Sequence, residues 1–314
     1  MEKFTKAFSA NPAKKQTKKK RNVRRRSNGY IYLISFATTM GLLSLCVLAF
    51  RDVLFPGSMQ QGSINPHAIG SIPSPELDTT ILFMFSDSQG SVPEKYMLLN
   101  YRPNEGVIVA VPLAANSRIK SGSVDGDLPE LYRKGGAKTV MLGIKETLGI
   151  ECEFYVQFDR ASFTGLTTEL GTVRVTVPYN FTWGDINLSV GEHHLTGGEL
   201  FAYMMYADFP LAGEDYNLSI MGMVTAGLIN NNCRHLPTED IQNLFRRILN
   251  TATTNLTYRD YTTYQRALHY TSTNGHNIAS YYIPAGAVEH DKFIISSRAI
   301  ATILEKFNTI DKRR

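Results

Sequence analysis

Twenty-one consecutive residues near the start of this chain, Tyr30 to Phe50, carry no charge. As a helix at about 1.5 Å per residue, such a run reaches roughly 30 Å, the thickness of a bilayer's hydrocarbon core. Its apolarity is not broken into a stripe, as it is in a helix that buries one face. Tyr30 and Tyr32 stand at one end, where aromatic rings favour the headgroup layer. A cleaved signal peptide is the rival reading. Its apolar region would be about 7–15 residues long and would end in a small-x-small site, whereas this run is longer and ends Val-Leu-Ala-Phe-Arg. The expectation is one uncleaved transmembrane helix.

Charge orients it. The chain has 33 Lys and Arg against 28 Asp and Glu, and eleven of those bases, with a single acid, fall in residues 1–28. Lys18, Lys19, Lys20, Arg21, Arg24, Arg25 and Arg26 immediately precede the apolar run, while Arg51 and Asp52 nearly cancel after it. Positive flanks stay inside, so the N-terminus is expected in the cytoplasm and the bulk of the chain outside. The rest of the chain carries 22 bases and 27 acids. A nucleic-acid partner needs its basic patch on the folded domain, so that class is set aside. The expected organisation is a cytoplasmic tail over 1–29, a membrane helix over 30–50, a Gly- and Pro-bearing linker over 51–79, an outer domain over 80–308 and a short tail over 309–314.

Within the outer domain, Ile81–Phe85, Tyr96–Tyr101 and Val107–Val111 are short continuous apolar runs, the pattern of strands covered on both faces. The turn chemistry of Arg102–Gly106 makes the last two a hairpin. Residues 113–127 read as a long polar loop. Val140, Met141, Ile144 and Leu148 share one helical face within 137–149. A strand over 153–158 follows, then a helix capped by Asp159 and ended by Gly171, then an alternating strand over 173–177. Further helices are expected near 197–206, 215–231, from Thr238, and near 297–307. Interleaved strands and helices predict an α/β domain with a central mixed sheet flanked by helices.

Four stretches, in order, resemble the LytR-CpsA-Psr family of cell-envelope proteins: Ile81–Pro112; Glu130–Tyr155, with Gly135-Gly136 and Thr147-Leu148-Gly149-Ile150; Phe158–Pro178; and Gly191–Tyr203, with Leu195-Thr196-Gly197. The resemblance implies a domain that handles glycopolymer carried on polyprenyl (pyro)phosphate, an apolar lipid pocket, and a mouth where arginines and acids hold pyrophosphate and a divalent ion such as Mg²⁺. Arginine forks suit phosphate oxygens and carboxylates suit Mg²⁺. Asp87 and Glu94 fall on the family's acids. Its arginines, however, fall on Gln89, Leu113, Met205 and Ala207, a further acid falls on Ala114, and the segment Glu214–Gly222 has no arginine.

The resemblance with those departures implies a catalytically degenerate member, acting by binding a lipid-linked glycan or other envelope-assembly proteins. An active phosphotransferase with a relocated site is the alternative, with Asp87 and Glu94 for metal and Arg118 or Arg133 for phosphate. A third reading, a type II glycosyltransferase, is suggested by the topology and by Asn-x-Ser/Thr at Asn180, Asn187, Asn217 and Asn255. As bland alternatives, Asp87 and Glu94 are solvated turn carboxylates, and Arg118 and Arg133 lie on a solvated loop face. Met204, Met205 and Met221 either line a lipid slot or fill the core. Cys152 and Cys233, outside the membrane, either pair across an 80-residue loop or stay free.

Overall fold

The computed structural model describes residues 72–209, 211, 214–274 and 278–307. The basic tail, the apolar run with Cys46, and the linker up to residue 71 lie outside the described residues. Among the described residues no helix is long and apolar enough to cross a membrane.

Six strands form the central sheet: β1 (Thr79–Phe85), β2 (Lys95–Arg102), β3 (Val107–Leu113), β6 (Phe154–Phe158), β11 (Thr253–Thr254) and β12 (Ala279–Tyr281), in the order β11-β6-β1-β2-β3-β12. It is mixed. β1, β2 and β3 form an antiparallel meander, β6 runs parallel to β1, and β12 runs parallel to β3. The continuous apolar runs are explained by cover on both faces. On one face Phe85, Met97, Ala110 and Val156 join a core cluster; on the other Leu82, Met84, Tyr96, Leu98, Val109 and Val111 join a second.

The second cluster is closed by α1 (Leu128–Leu148) and α7 (Ser297–Lys306). The first is closed by α2 (Arg160–Leu170), α3 (Gly197–Tyr206) and α4 (Glu214–Asn232), with β7 (Val173–Val177). Outside these lie α5 (Thr238–Thr251), which packs on α2 and α6 (Tyr258–Asn274).

Several elements depart from the sequence reading. The expected loop over 113–127 contains a hairpin, β4 (Ile119–Ser121) with β5 (Val124–Gly126), whose turn uses the positive φ of Gly122. β3 runs through Pro112 instead of stopping there. Its partner β12 reaches only to Ala110, so Pro112 sits on a free edge, where a proline is tolerated. α1 starts nine residues earlier than the apolar face suggested. Asp127 and Glu130 form a reciprocal capping box there, and Gly135-Gly136 kinks the helix. Two more hairpins were not expected: β8 (Phe181–Trp183) with β9 (Ile186–Leu188), and β13 (Gly286–Glu289) with β14 (Lys292–Ile295). β10 (Gly191–Leu195) pairs with β7. The cap predicted at Asp159 is formed, its carboxylate accepting from the Ser162 amide at 2.7 Å.

Candidate functional site

β1 and β6 run parallel side by side, so their carboxyl ends open on the same edge of the sheet, the place where α/β sheets receive ligands. The loop after β1, residues 86–94, carries Asp87 and Glu94. The residue after β6 is Asp159, followed at once by α2.

A buried polar frame holds this edge. Gln157, 4% exposed, donates from Nε2 to the Ser91 carbonyl at 3.1 Å and to Ser86 Oγ at 3.3 Å. Its Oε1 accepts from the Tyr132 hydroxyl at 2.6 Å. The Ser86 amide donates to Phe158 O and the Glu94 amide to Phe85 O, so both ends of the loop are tied to the sheet.

Over this frame lies a cleft of about 490 Å³, lined by Asp87, Ser88, Asp159, Arg160, Thr164 and Gly198 among others. Two of its lining residues, Arg160 and Asp87, belong to a stack drawn from four elements. Arg160 opens α2 and stands with its guanidinium carbon 4.3 Å from the centre of the Trp183 ring. Trp183 stacks on Tyr206 with ring centres 4.3 Å apart and planes 7° from parallel. One ring face cannot hold both at that distance, so Arg160 and Tyr206 occupy opposite faces of the indole. The Tyr206 hydroxyl donates to Asp87 Oδ1 at 2.6 Å. Burial, and then the negative charge of Asp87, push the Tyr206 phenol above its ordinary pKa, so it holds its proton.

Lys95 opens β2 directly after Glu94. As the neighbour of Tyr96 on β2 it points to the opposite face, that of Phe85 and Met97. Burial lowers its ammonium pKa, opposed by Asp208 and Glu94. A second, larger cleft of about 750 Å³ lies between the C-terminal ends of α2 and α4 and the length of α5; there Arg247 is already paired with Glu169.

The residues singled out from sequence are distributed as follows. Asp87 and Glu94 are both exposed on the β1–β2 loop and both act on the Tyr206 phenol. No group of three His, Cys, Asp or Glu placed to hold a metal is present among the described residues. Arg118 is not in the cleft. It sits beside the β4–β5 hairpin in a two-pronged pair with Asp125, at 2.9 and 2.7 Å. Arg133 is exposed on α1 and does not line the cleft. Met204, Met205 and Met221 are 2–3% exposed inside the first core cluster, and none lines either cleft.

Cys152 and Cys233 are free thiols, so the pairing that the loop length allowed is not formed. The physical reason is the sheet itself: Cys152 belongs to the second cluster, while Cys233 follows α4, whose apolar residues lie in the first. Arg160, Trp183 and Tyr206 were missed in the sequence. The available signal was a cation directly after a helix cap, in a first turn that holds no acid. That is the unfavourable end of the helix dipole for a positive charge, by about 0.3–1 kcal/mol.

This fold is that of a known family. The LytR_cpsA_psr family profile matches residues 73–308, and the chain belongs to that family. Among curated proteins it is 22% identical over 163 residues to the polyisoprenyl-teichoic acid–peptidoglycan teichoic acid transferase TagU of Bacillus subtilis, covering 52% of this chain and 53% of TagU. The TagU of Bacillus licheniformis gives 22% over 165 residues. The chain thus spans about half the length of the curated relatives it matches. Among solved structures, a Eubacterium siraeum protein aligns with a TM-score of 0.70 at 21% identity, over 76% of this chain and 94% of its own. TagV of B. subtilis aligns at 0.61 and 17%, over 74% and 96%. TagT bound to LI-WTA aligns at 0.59 and 14%, over 81% and 97%. At these identities the likeness is one of fold.

Proposed function

We propose that this protein is a membrane-anchored, extracytoplasmic member of the family that binds polyprenyl-phosphate-linked glycan in cell-wall glycopolymer assembly, without carrying out the transfer. In this reading residues 1–29 lie in the cytoplasm and 30–50 span the membrane. A linker over 51–79 leads to the outer domain, 80–308, and residues 309–314 form a tail. The ligand is presented at the cleft or passed to other envelope-assembly proteins.

One observation carries the reading. Of the positions where the resemblance places phosphate-binding arginines, Gln89 is uncharged, and Leu113, Met205 and Ala207 are apolar and 2–4% exposed. Transfer of a pyrophosphate-linked group needs its charge neutralised in place, and removing one preorganised donor costs about 3 kcal/mol in such sites. The loss of several leaves binding feasible and turnover not.

The test uses the full chain extracted gently from membrane. Native mass spectrometry is expected to show a copurifying polyprenyl phosphate. Addition of Mg²⁺ and wall acceptor with a lipid-linked glycopolymer is expected to give no transfer. Turnover matching that of TagU under the same conditions removes the degenerate reading in favour of an active phosphotransferase. Loss of that turnover in Glu94→Gln would then place its metal at the β1–β2 loop. A protein that neither carries nor takes up a lipid phosphate overturns the reading.

A further inference from the structure

Three charged side chains line the 490 Å³ cleft, and they are not in the same condition. Asp87 accepts from Tyr206, and Asp159 accepts from the Ser162 amide. Arg160 has no ion pair or hydrogen bond among the described residues; its contact is the Trp183 ring. It is exposed, and it stands at the first position of a helix, where the dipole opposes it. The Trp183 contact offsets that cost but leaves the N–H groups of the guanidinium without an acceptor among the described residues, the condition of a cation with room for an anion.

We propose that Arg160 reads a single phosphate group in this cleft, with Trp183 as its positioning residue. The inference rests on the lipid-phosphate reading above only for the ligand's apolar tail. A guanidinium held over an indole gives up one face and keeps its N–H edge, which matches two oxygens of one phosphate. The clamp also removes side-chain freedom before the ligand arrives, so less is lost on binding. Asp87 and Asp159 keep their negative charge while accepting from a phenol and an amide, so the lining offers a phosphate one cation and repels any charge beyond what that cation meets. The cleft therefore favours a phosphomonoester over the more highly charged pyrophosphate, and no group of three His, Cys, Asp or Glu is placed among the described residues to add a divalent ion to it. Arg160 lies outside the set of positions where the resemblance places arginines.

Trp183 is the sole tryptophan of the chain, so intrinsic fluorescence reports on this stack alone. Full chain in detergent is titrated with farnesyl phosphate, farnesyl pyrophosphate, farnesol and inorganic phosphate, with and without EDTA. Farnesyl phosphate is expected to change Trp183 emission and to bind at least tenfold more tightly than farnesol, with no effect of EDTA and no gain for the pyrophosphate. Arg160→Gln is expected to erase the tenfold margin while leaving farnesol binding unchanged, and Arg160→Lys to retain part of it. An undiminished margin in Arg160→Gln overturns the inference and leaves the lipid-phosphate reading standing. A pyrophosphate that binds tenfold better, or only with a divalent ion, overturns the single-phosphate reading. Inorganic phosphate bound as tightly as farnesyl phosphate, and lost in Arg160→Gln, supports Arg160 and overturns the lipid. No binding of any phosphate overturns both.

Discussion

At the scale of single residues, Gln157 decides whether the candidate site has a frame. It is buried on β6 and joins three segments: the Tyr132 hydroxyl of α1, the Ser86 side chain and the Ser91 carbonyl. Gln157→Leu keeps the volume and removes every partner, so buried polar groups are left unmade at about 1–3 kcal/mol. The expected result is a lower urea midpoint with an unchanged slope, and faster amide exchange in residues 86–94. An unchanged midpoint would mean that water replaces the amide and the frame is not built on it. The thiols give a second residue-scale prediction. Burial pushes Cys152 up to about 12 and Cys233 up to about 11, both from an ordinary thiol near 9. The thiolate is the reactive form, so at pH 8 both should react with a thiol reagent at least a hundredfold more slowly in the folded chain than in urea. A peptide linking Cys152 to Cys233 in a non-reducing map would contradict the free thiols. Nothing in sequence could separate these outcomes, because the two positions are divided by a sheet and the primary structure does not say on which face each lands.

At the scale of elements, the central strands and most helices were legible because each is a simple burial pattern. β1, β2 and β3 read as doubly covered, and alternate residues do enter the two core clusters. The hairpins β4–β5, β8–β9 and β13–β14 were not legible, because they are three or four residues per strand and are set by turn conformations. In β13–β14, for example, His290 and Asp291 both take positive φ. The start of α1 was missed for another reason: its cap, Asp127 with Glu130, precedes a Gly-Gly kink that interrupts the apolar face. Close packing of α4 is a further element-level fact. A Cβ on Gly222 would lie 2.8 Å from Tyr281 Cβ and 3.1 Å from Pro112 Cγ, whereas one on Gly198 in the first turn of α3 meets nothing within 4 Å. The same change should therefore have opposite signs. Gly222→Ala is expected to destabilise by about 1–3 kcal/mol through overpacking, net of the helix gain. Gly198→Ala is expected to be neutral or to stabilise by up to about 1 kcal/mol. Thermal unfolding of the pair checks this, and equal shifts would deny that α4 is seated through its glycine.

At the scale of the whole molecule, the sheet separates two jobs. The α1 and α7 face closes a core without a cleft of its own among those described, while the loops at the carboxyl ends of β1 and β6 bring Asp87, Arg160, Trp183 and Tyr206 together from four segments. The site was only partly readable for that reason. The acids lie close in sequence and could be named, whereas the stack spans residues 87 to 206 and exists only once α2, α3 and the β8–β9 hairpin are assembled. The remaining question at this scale is which side of a membrane the domain faces. The argument is electrostatic. Seven bases in the nine residues 18–26 stand before 21 uncharged residues, and one base with one acid stands after them. In bacteria expressing the full chain with an epitope at its N-terminus, the protein should stay with membranes in high salt, because a spanning helix is not held by charge. Protease added to protoplasts should remove the folded domain and leave the epitope intact. Replacing the seven bases by glutamine should weaken that asymmetry and leave a protected fraction of the domain. A domain fully protected in the parent chain would reverse the orientation, and with it the premise that the cleft meets a ligand outside the cell.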